Sequence, residues 1–180
     1  MTMRKSLLAL IAALAVASPA SAALKPGAKA PDFVTTGAIA GKAFRLHLKQ
    51  ELQNGPVVLY FYPKAFTKGC TFEARAFSVA APQFRQAGAR VIGMSADDWP
   101  TLKRFSVEEC RNAFPVARAT AATIRAYDVA MPVVGKLKTM SNRTSFVIAQ
   151  DGRITFVHSD LEWSGHVKKT LAAVRALKKT

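Results

Sequence analysis

Six apolar residues, Val57-Val58-Leu59-Tyr60-Phe61-Tyr62, stand between Asn54-Gly55-Pro56 and Pro63. A short run of β-branched and aromatic types with no polar alternation fits a strand buried on both faces. Such a strand has to be covered from above and below, which already points to a layered α/β arrangement. A second run of the same kind, Arg90 to Ser95, follows some thirty residues later. Between them, a helix is expected from about Cys70 towards Ala87, with Phe72, Ala76, Val79, Ala80 and Phe84 on roughly one face. Pro82 is expected to interrupt or restart it.

The rest of the chain extends the pattern. A helix is expected from Pro100 to about Glu109 and a short one over Ala121 to Tyr127, leading into a loop around Pro132 and Gly135. Strands at Thr144 to Ala149 and Ile154 to His158 flank Gln150-Asp151-Gly152-Arg153, where Asp-Gly is a strong hairpin signal. A last helix is expected from about Gly165 to Lys178, its Val167, Leu171, Val174 and Leu177 opposite Lys168, Lys169, Arg175 and Lys178. Ala23 to Pro31, with Pro26, Gly27 and Pro31, reads as an extended, exposed lead-in. The order strand, helix, strand, helix, hairpin, helix implies one α/β sandwich with a mixed central sheet and helices on both faces.

The N-terminus reads differently. Arg4 and Lys5 precede the unbroken apolar run Leu7 to Ala17, then Ser18-Pro19 and the small-residue triplet Ala20-Ser21-Ala22. Basic start, short apolar run and A-x-A site describe a secretory signal peptide, cut near Ala22-Ala23. The run is too short for a span, which takes about 20 apolar residues. The expectation is therefore a signal over 1–22, one domain over 23–180, and a periplasmic or secreted location where disulfides persist. That location bears on the charge. Lys plus Arg number 26 against 11 Asp plus Glu, for a formal net charge of +15. Such an excess is the footprint of phosphate binding, but an exported protein is not expected to meet nucleic acid. The basic surface then faces solvent or makes electrostatic contact with an anionic envelope.

Two cysteines are too few for a disulfide-dense scaffold, so each needs its own reading. Cys70 follows the buried strand and the turn Pro63 to Gly69, and it opens a helix. Unpaired N–H groups and about +0.5 of macrodipole charge favour an anion there. A free thiol of ordinary pKa, about 8.5, is only a few per cent thiolate at pH 7, and the thiolate is the reactive form. Making it nine-tenths thiolate corresponds to roughly 3.4 kcal/mol, more than a helix terminus supplies. A neighbouring cation is needed, and Arg143 begins a strand that could pair beside the first one. Two plainer readings stay open at this point. Cys70 could be a small buried hydrophobe, or Cys70 and Cys110 could form an inert bridge contributing on the order of 3–4 kcal/mol.

The segment Pro63-Lys64-Ala65-Phe66-Thr67-Lys68-Gly69-Cys70-Thr71-Phe72-Glu73-Ala74 resembles the active-site segment of the peroxiredoxins, P-x-x-x-T-x-x-C. Its F-Y-P-K lead and G-C-T-x-E-A continuation are most similar to the bacterioferritin-comigratory-protein branch. Val91 to Ser95 resembles the family's second strand, and Arg143 to Ile148 with Asp151 to Ile154 its R-x-x-F-x-I-x-x-x-G-x-I region. Ala30-Pro31-Asp32-Phe33 fits its N-terminal segment. The resemblance implies a thioredoxin-like three-layer fold and a thiol peroxidase acting on hydrogen peroxide and organic hydroperoxides, with no cofactor and no metal. It implies Cys70 as the peroxidatic thiolate, Thr67 as a hydrogen-bonding hydroxyl, Pro63 as a shield against water and Arg143 as the stabilising cation. Glu73 matches the branch pattern, and also suits the first turn of a helix as a carboxylate.

The second cysteine departs from the pattern. Many members of the branch carry a resolving cysteine five residues after the first, where this chain has Arg75. Others carry it on a later helix, and Cys110 lies in that region. The resemblance thus implies Cys110 as resolving thiol, an intramolecular disulfide, and an external thiol reductant of thioredoxin-like or other type. For the two sulfurs to meet, the first helix is expected to unwind locally. The alternatives are a passive Cys110, or a cationic envelope-binding or structural protein with a static Cys70–Cys110 disulfide. Absence of C-x-x-C argues against a dithiol exchanger. His47, His158 and His166 lack metal-ligand spacing and read as surface or core residues, and Trp99 and Trp163 as packing residues. The sequence fits a monomer or a homodimer alike.

Overall fold

The computed structural model describes residues 23–131 and 140–177. In chain order the elements are β1 (Val34–Ile39), β2 (Lys42–His47), α1 (Leu48–Leu52), β3 (Val57–Phe61), α2 (Lys68–Gln86), β4 (Arg90–Ser95), α3 (Trp99–Glu108), β5 (Val116–Arg118), α4 (Ala121–Ala126), β6 (Thr144–Ile148), β7 (Ile154–Ser159) and α5 (Ser164–Leu177). The expected signal peptide over residues 1–22, the expected loop around Pro132 and Gly135, and Lys178 lie outside the described residues.

Every residue of β3 is buried, as its composition requires. It lies inside a seven-stranded mixed sheet of order β2-β1-β5-β4-β3-β6-β7. β3 runs parallel to β4, a pairing that needs a helical crossover, and α2 supplies it. Its other neighbour, β6, is antiparallel, with Phe61 opposite Thr144. Alternation along β3 splits the core in two. Val58 and Tyr60 pack with Phe77 and Phe84 of α2, Phe105 of α3 and Leu171 and Val174 of α5. Val57, Leu59 and Phe61 pack on the opposite face with Leu48 and Leu52 of α1 and Ile124 of α4. At about 1.5–3 kcal/mol for each fully buried large side chain, these two layers hold the sheet between the helices. The architecture is the expected α/β/α sandwich.

Three expectations need correction. α2 runs through Pro82 without a break, because Phe77, Ala80, Ala81 and Phe84 anchor it on both sides of the proline. Its buried stripe is Cys70, Glu73, Ala74, Phe77, Ala80, Ala81 and Phe84, whereas Phe72 and Val79 are 40% and 69% exposed. A carboxylate on a core position had disguised the stripe. The lead-in Ala23 to Pro31 is not free either. Gly27 and Ala30 donate to the Ile154 and Gly152 carbonyls at 2.7 and 2.9 Å.

The sequence reading also passed over β1, β2, α1 and β5. The β1–β2 hairpin turns on Ala40-Gly41, both at positive φ (49° and 73°). That geometry ordinarily selects Asn-Gly, and alanine gives no such signal.

Candidate active site

At the C-terminal end of β3 the chain leaves the sheet through Tyr62 and crosses to α2 over Pro63 to Thr67. Asp97, just past β4, ties this loop down by accepting from the Ala65 N–H at 2.7 Å and from the Ser95 hydroxyl at 2.8 Å. Phe66 holds a left-handed backbone (φ 63°), unusual for an aromatic residue. Its ring meets Phe105 edge-on and carries the Arg104 guanidinium 5.0 Å from its centre. Thr71 N–H donates to the Thr67 carbonyl at 2.9 Å and closes the first helical turn. Cys70 falls inside that turn, where backbone N–H groups have no helical partners. Its residue is 1% exposed.

β6 pairing sets Arg143, the residue before it, beside the end of β3. All three guanidinium nitrogens are used. Nη2 donates to Cys70 Sγ at 3.4 Å, Nε donates to the Leu161 carbonyl at 2.9 Å, and Nη1 pairs with Glu73 Oε2. Burial alone would weaken the charge on Arg143, but Glu73 and Cys70 outweigh it and hold the guanidinium more firmly protonated than usual. Gly69 makes the approach possible, since a Cβ there would lie 3.2 Å from Nη2.

Glu73 is fully buried. Burial pushes its carboxyl up, and the Arg143 guanidinium, with which it forms a buried ion pair, pulls it back down. Its Oε1 faces His166 Nδ1 at 3.7 Å. His166 Nε2 donates to the Asp160 carbonyl at 2.9 Å, so Nδ1 accepts from the Ser145 hydroxyl at 2.8 Å. Burial pushes this imidazole down to about 4 and keeps it neutral. The His158 ring lies 4.5 Å from it, centre to centre.

The structure brings Cys70 and Arg143 together. Pro63 is half-buried in the loop leading to Cys70. Thr67 is exposed, and its hydroxyl donates to the Lys64 carbonyl at 2.9 Å rather than to the sulfur. Cys110, just past α3, is fully buried in the same apolar cluster as Cys70. Burial and the neighbouring Glu109 push its thiol up. Both cysteines are free thiols, so the static bridge is not present.

Sequence reasoning missed Asp97, the clearance at Gly69 and the place of His166 behind Glu73. Only His166 left a trace. With Thr170 and Val174 it sits at four-residue spacing on the buried face of α5, a stripe read from apolar residues alone. Arg143, pinned by Glu73 and aimed at the buried Cys70, can stabilise a sulfur anion and take up charge arriving on an oxygen beside it.

A family model described as AhpC/TSA family matches residues 26–157. A Mycobacterium tuberculosis protein named putative peroxiredoxin is 36% identical over 130 residues, 71% of this chain and 82% of that one. Peroxiredoxin Bcp of Xanthomonas campestris is 33% identical over 123 residues, 67% of this chain and 76% of its own. The crystal structure of peroxidoxin BcpB from Mycobacterium tuberculosis superposes with a TM-score of 0.76 at 33% identity, covering 86% of this chain and 98% of that one. Xanthomonas campestris peroxiredoxin Q gives a TM-score of 0.65 at 28% identity, over 78% and 89% of the two chains.

Proposed function

This chain belongs to the AhpC/TSA family, in the Bcp branch of the peroxiredoxins, and from that premise we propose that Cys70 is the peroxidatic cysteine of this thiol peroxidase. The observation that carries the assignment is the Arg143 guanidinium, aimed at Cys70 Sγ from 3.4 Å and pinned on its other nitrogens by Glu73 and Leu161. A cation fixed before the reaction costs no reorganisation during it.

The Cys70 thiolate attacks the nearer oxygen of hydrogen peroxide or an organic hydroperoxide. An S–O bond forms, the O–O bond breaks, and the sulfur is oxidised to sulfenic acid. Hydroxide or alkoxide departs and takes a proton from water. Arg143 holds the sulfur's charge first and the departing oxygen's charge afterwards. The Thr67 proton is committed to Lys64, so Oγ1 serves as acceptor for the O–H of the bound peroxide. Pro63 screens the sulfur from bulk water.

In the second half-reaction the Cys110 thiol attacks the sulfenic sulfur. A Cys70–Cys110 disulfide forms and water leaves. An external thiol, of thioredoxin type or another, reduces it. With residues 1–22 as a signal peptide, that reduction takes place in an oxidising compartment, where the cytosolic donor is not at hand.

Trapping tests the assignment of the sulfur. With Cys110→Ser protein and one equivalent of hydrogen peroxide, dimedone adds to Cys70, seen as a mass increase on its peptide. No adduct, with peroxide still consumed, overturns the assignment.

A further inference from the structure

Cys110 sits between an ion pair and a strained turn. Glu109, the residue before it, accepts from Arg75 Nε of α2 at 2.6 Å, an ion pair joining the helix that carries Cys70 to the segment that carries Cys110. On its other side Arg111 and Asn112 both adopt left-handed backbones, φ 51° and 59°, with no glycine to ease them. Main-chain bonds from Cys110 N–H to Phe105 O at 3.0 Å and from Asn112 N–H to Ser106 O at 3.0 Å fold this turn against the end of α3. In the same apolar cluster as both cysteines, the Tyr60 hydroxyl is buried without a hydrogen-bond partner among the described residues, a feature that water entry would relieve. The strained backbone and the orphaned hydroxyl favour opening; the main-chain bonds, the Arg85 Nη1 bond to the Ala113 carbonyl at 3.4 Å and the Arg75–Glu109 ion pair oppose it, and of these only the last is an ion pair.

We propose that the Arg75–Glu109 ion pair is a latch that keeps Cys110 in the core of the reduced protein and sets the rate at which Cys110 reaches the sulfenic acid on Cys70. This rests on the reading of Cys110 as the resolving thiol. Opening the latch frees the turn 109–113 and the second turn of α2 together. It also hydrates Cys110, which burial and Glu109 otherwise hold in its thiol form. Condensation then proceeds as Cys110–SH plus Cys70–SOH giving the disulfide and water. Arg75 and Glu109 are positioning residues, since neither touches peroxide or the reacting sulfur of Cys70.

The test mixes reduced protein with one equivalent of hydrogen peroxide and follows two rates, peroxide loss and disulfide formation, the latter by acid quench, thiol alkylation and mass measurement. In Arg75→Gln and in Glu109→Gln, peroxide loss stays within about twofold of the parent while disulfide formation becomes roughly three- to tenfold faster. The charge-reversed pair, Arg75→Glu with Glu109→Arg, returns the second rate to within about twofold of the parent. In the parent alone, added salt speeds the second step by weakening the pair. The sign in Arg75→Gln is decisive. That variant keeps the Glu109 charge beside Cys110, so a purely electrostatic effect on the thiol would leave it no faster than the parent. No acceleration in Arg75→Gln overturns the latch while leaving Cys110 as resolver. Cys110 still alkylatable in fully oxidised parent protein overturns both.

Discussion

At the scale of single residues, Arg143 is where most of the chemistry is decided. Its three nitrogens serve Cys70, Glu73 and the Leu161 carbonyl at once, so shortening it costs both charge and aim. Arg143→Gln lowers the second-order rate of peroxide reduction by about 100-fold, the scale of losing one preorganised donor, while the fold is retained by circular dichroism. A rate within about threefold of the parent would show the guanidinium to be a bystander. Gly69→Ala is a finer probe. Its methyl meets Nη2 at 3.2 Å, and a shift of a few tenths of an ångström is expected to cost about tenfold in the same rate with little change in melting temperature. Cys70 and Arg143 were legible because a thiol at a helix start needs a cation and a following strand offers one. Glu73 was legible only as a match to the branch pattern: α2 begins at Lys68, so the residue stands in the second turn rather than the expected first, and its buried pairing left no signal. His166 left only its four-residue spacing with Thr170 and Val174 on α5, a trace that counting apolar residues passes over.

At the scale of elements, α5 makes the active site sensitive to acid. His166 is driven down to about 4 from the usual 6.5 by burial. Between these values the unfolded chain's imidazole binds a proton that the folded one refuses, so the His166 contribution to stability falls as pH drops through that window, while the raised Glu73 carboxyl contributes in the opposite sense. By pH 5 the loss is about 2 kcal/mol, or about 4–8 °C in melting temperature for a chain of this size. Removing that contribution in His166→Gln raises the melting temperature at pH 5, relative to that at pH 7, by about 4–8 °C over the parent's own pH 5-to-7 comparison, and an unchanged comparison would mean that His166 does not carry the effect. The β1–β2 hairpin offers a second probe. Ala40 holds φ at 49°, and Ala40→Gly relieves it, raising stability by about 0.5–1 kcal/mol in denaturant unfolding. Interior strands β3, β4 and β6 were legible from apolar runs. The β1–β2 pair lies at the sheet edge, half solvated, with neither a clean alternation nor a standard turn residue to announce it. The buried face of α2 was misread for a related reason, since an ion pair can occupy a core position that apolar counting assigns to solvent.

At the scale of the whole molecule, the two cysteines lie in one apolar cluster, both buried and both reduced. The parent treated with one equivalent of peroxide is expected to gain an intramolecular disulfide and to migrate as a compact monomer on a non-reducing gel. Cys110→Ser gains none, and under excess peroxide its Cys70 proceeds to sulfinic acid. If Cys110→Ser turns over unchanged with a thioredoxin-type donor, Cys110 is passive and the enzyme works with one cysteine. Of the charge behind the net +15, the most conspicuous number in the composition, Arg143 is the cation that the described residues bring into hydrogen-bond contact with Cys70. The central claim is that the reaction runs through the Cys70 sulfur, and consumption of hydrogen peroxide in the presence of dithiothreitol tests it most directly. The parent is expected to consume peroxide catalytically and Cys70→Ser to fall to the background rate of the thiol alone. A Cys70→Ser protein as active as the parent would contradict the account.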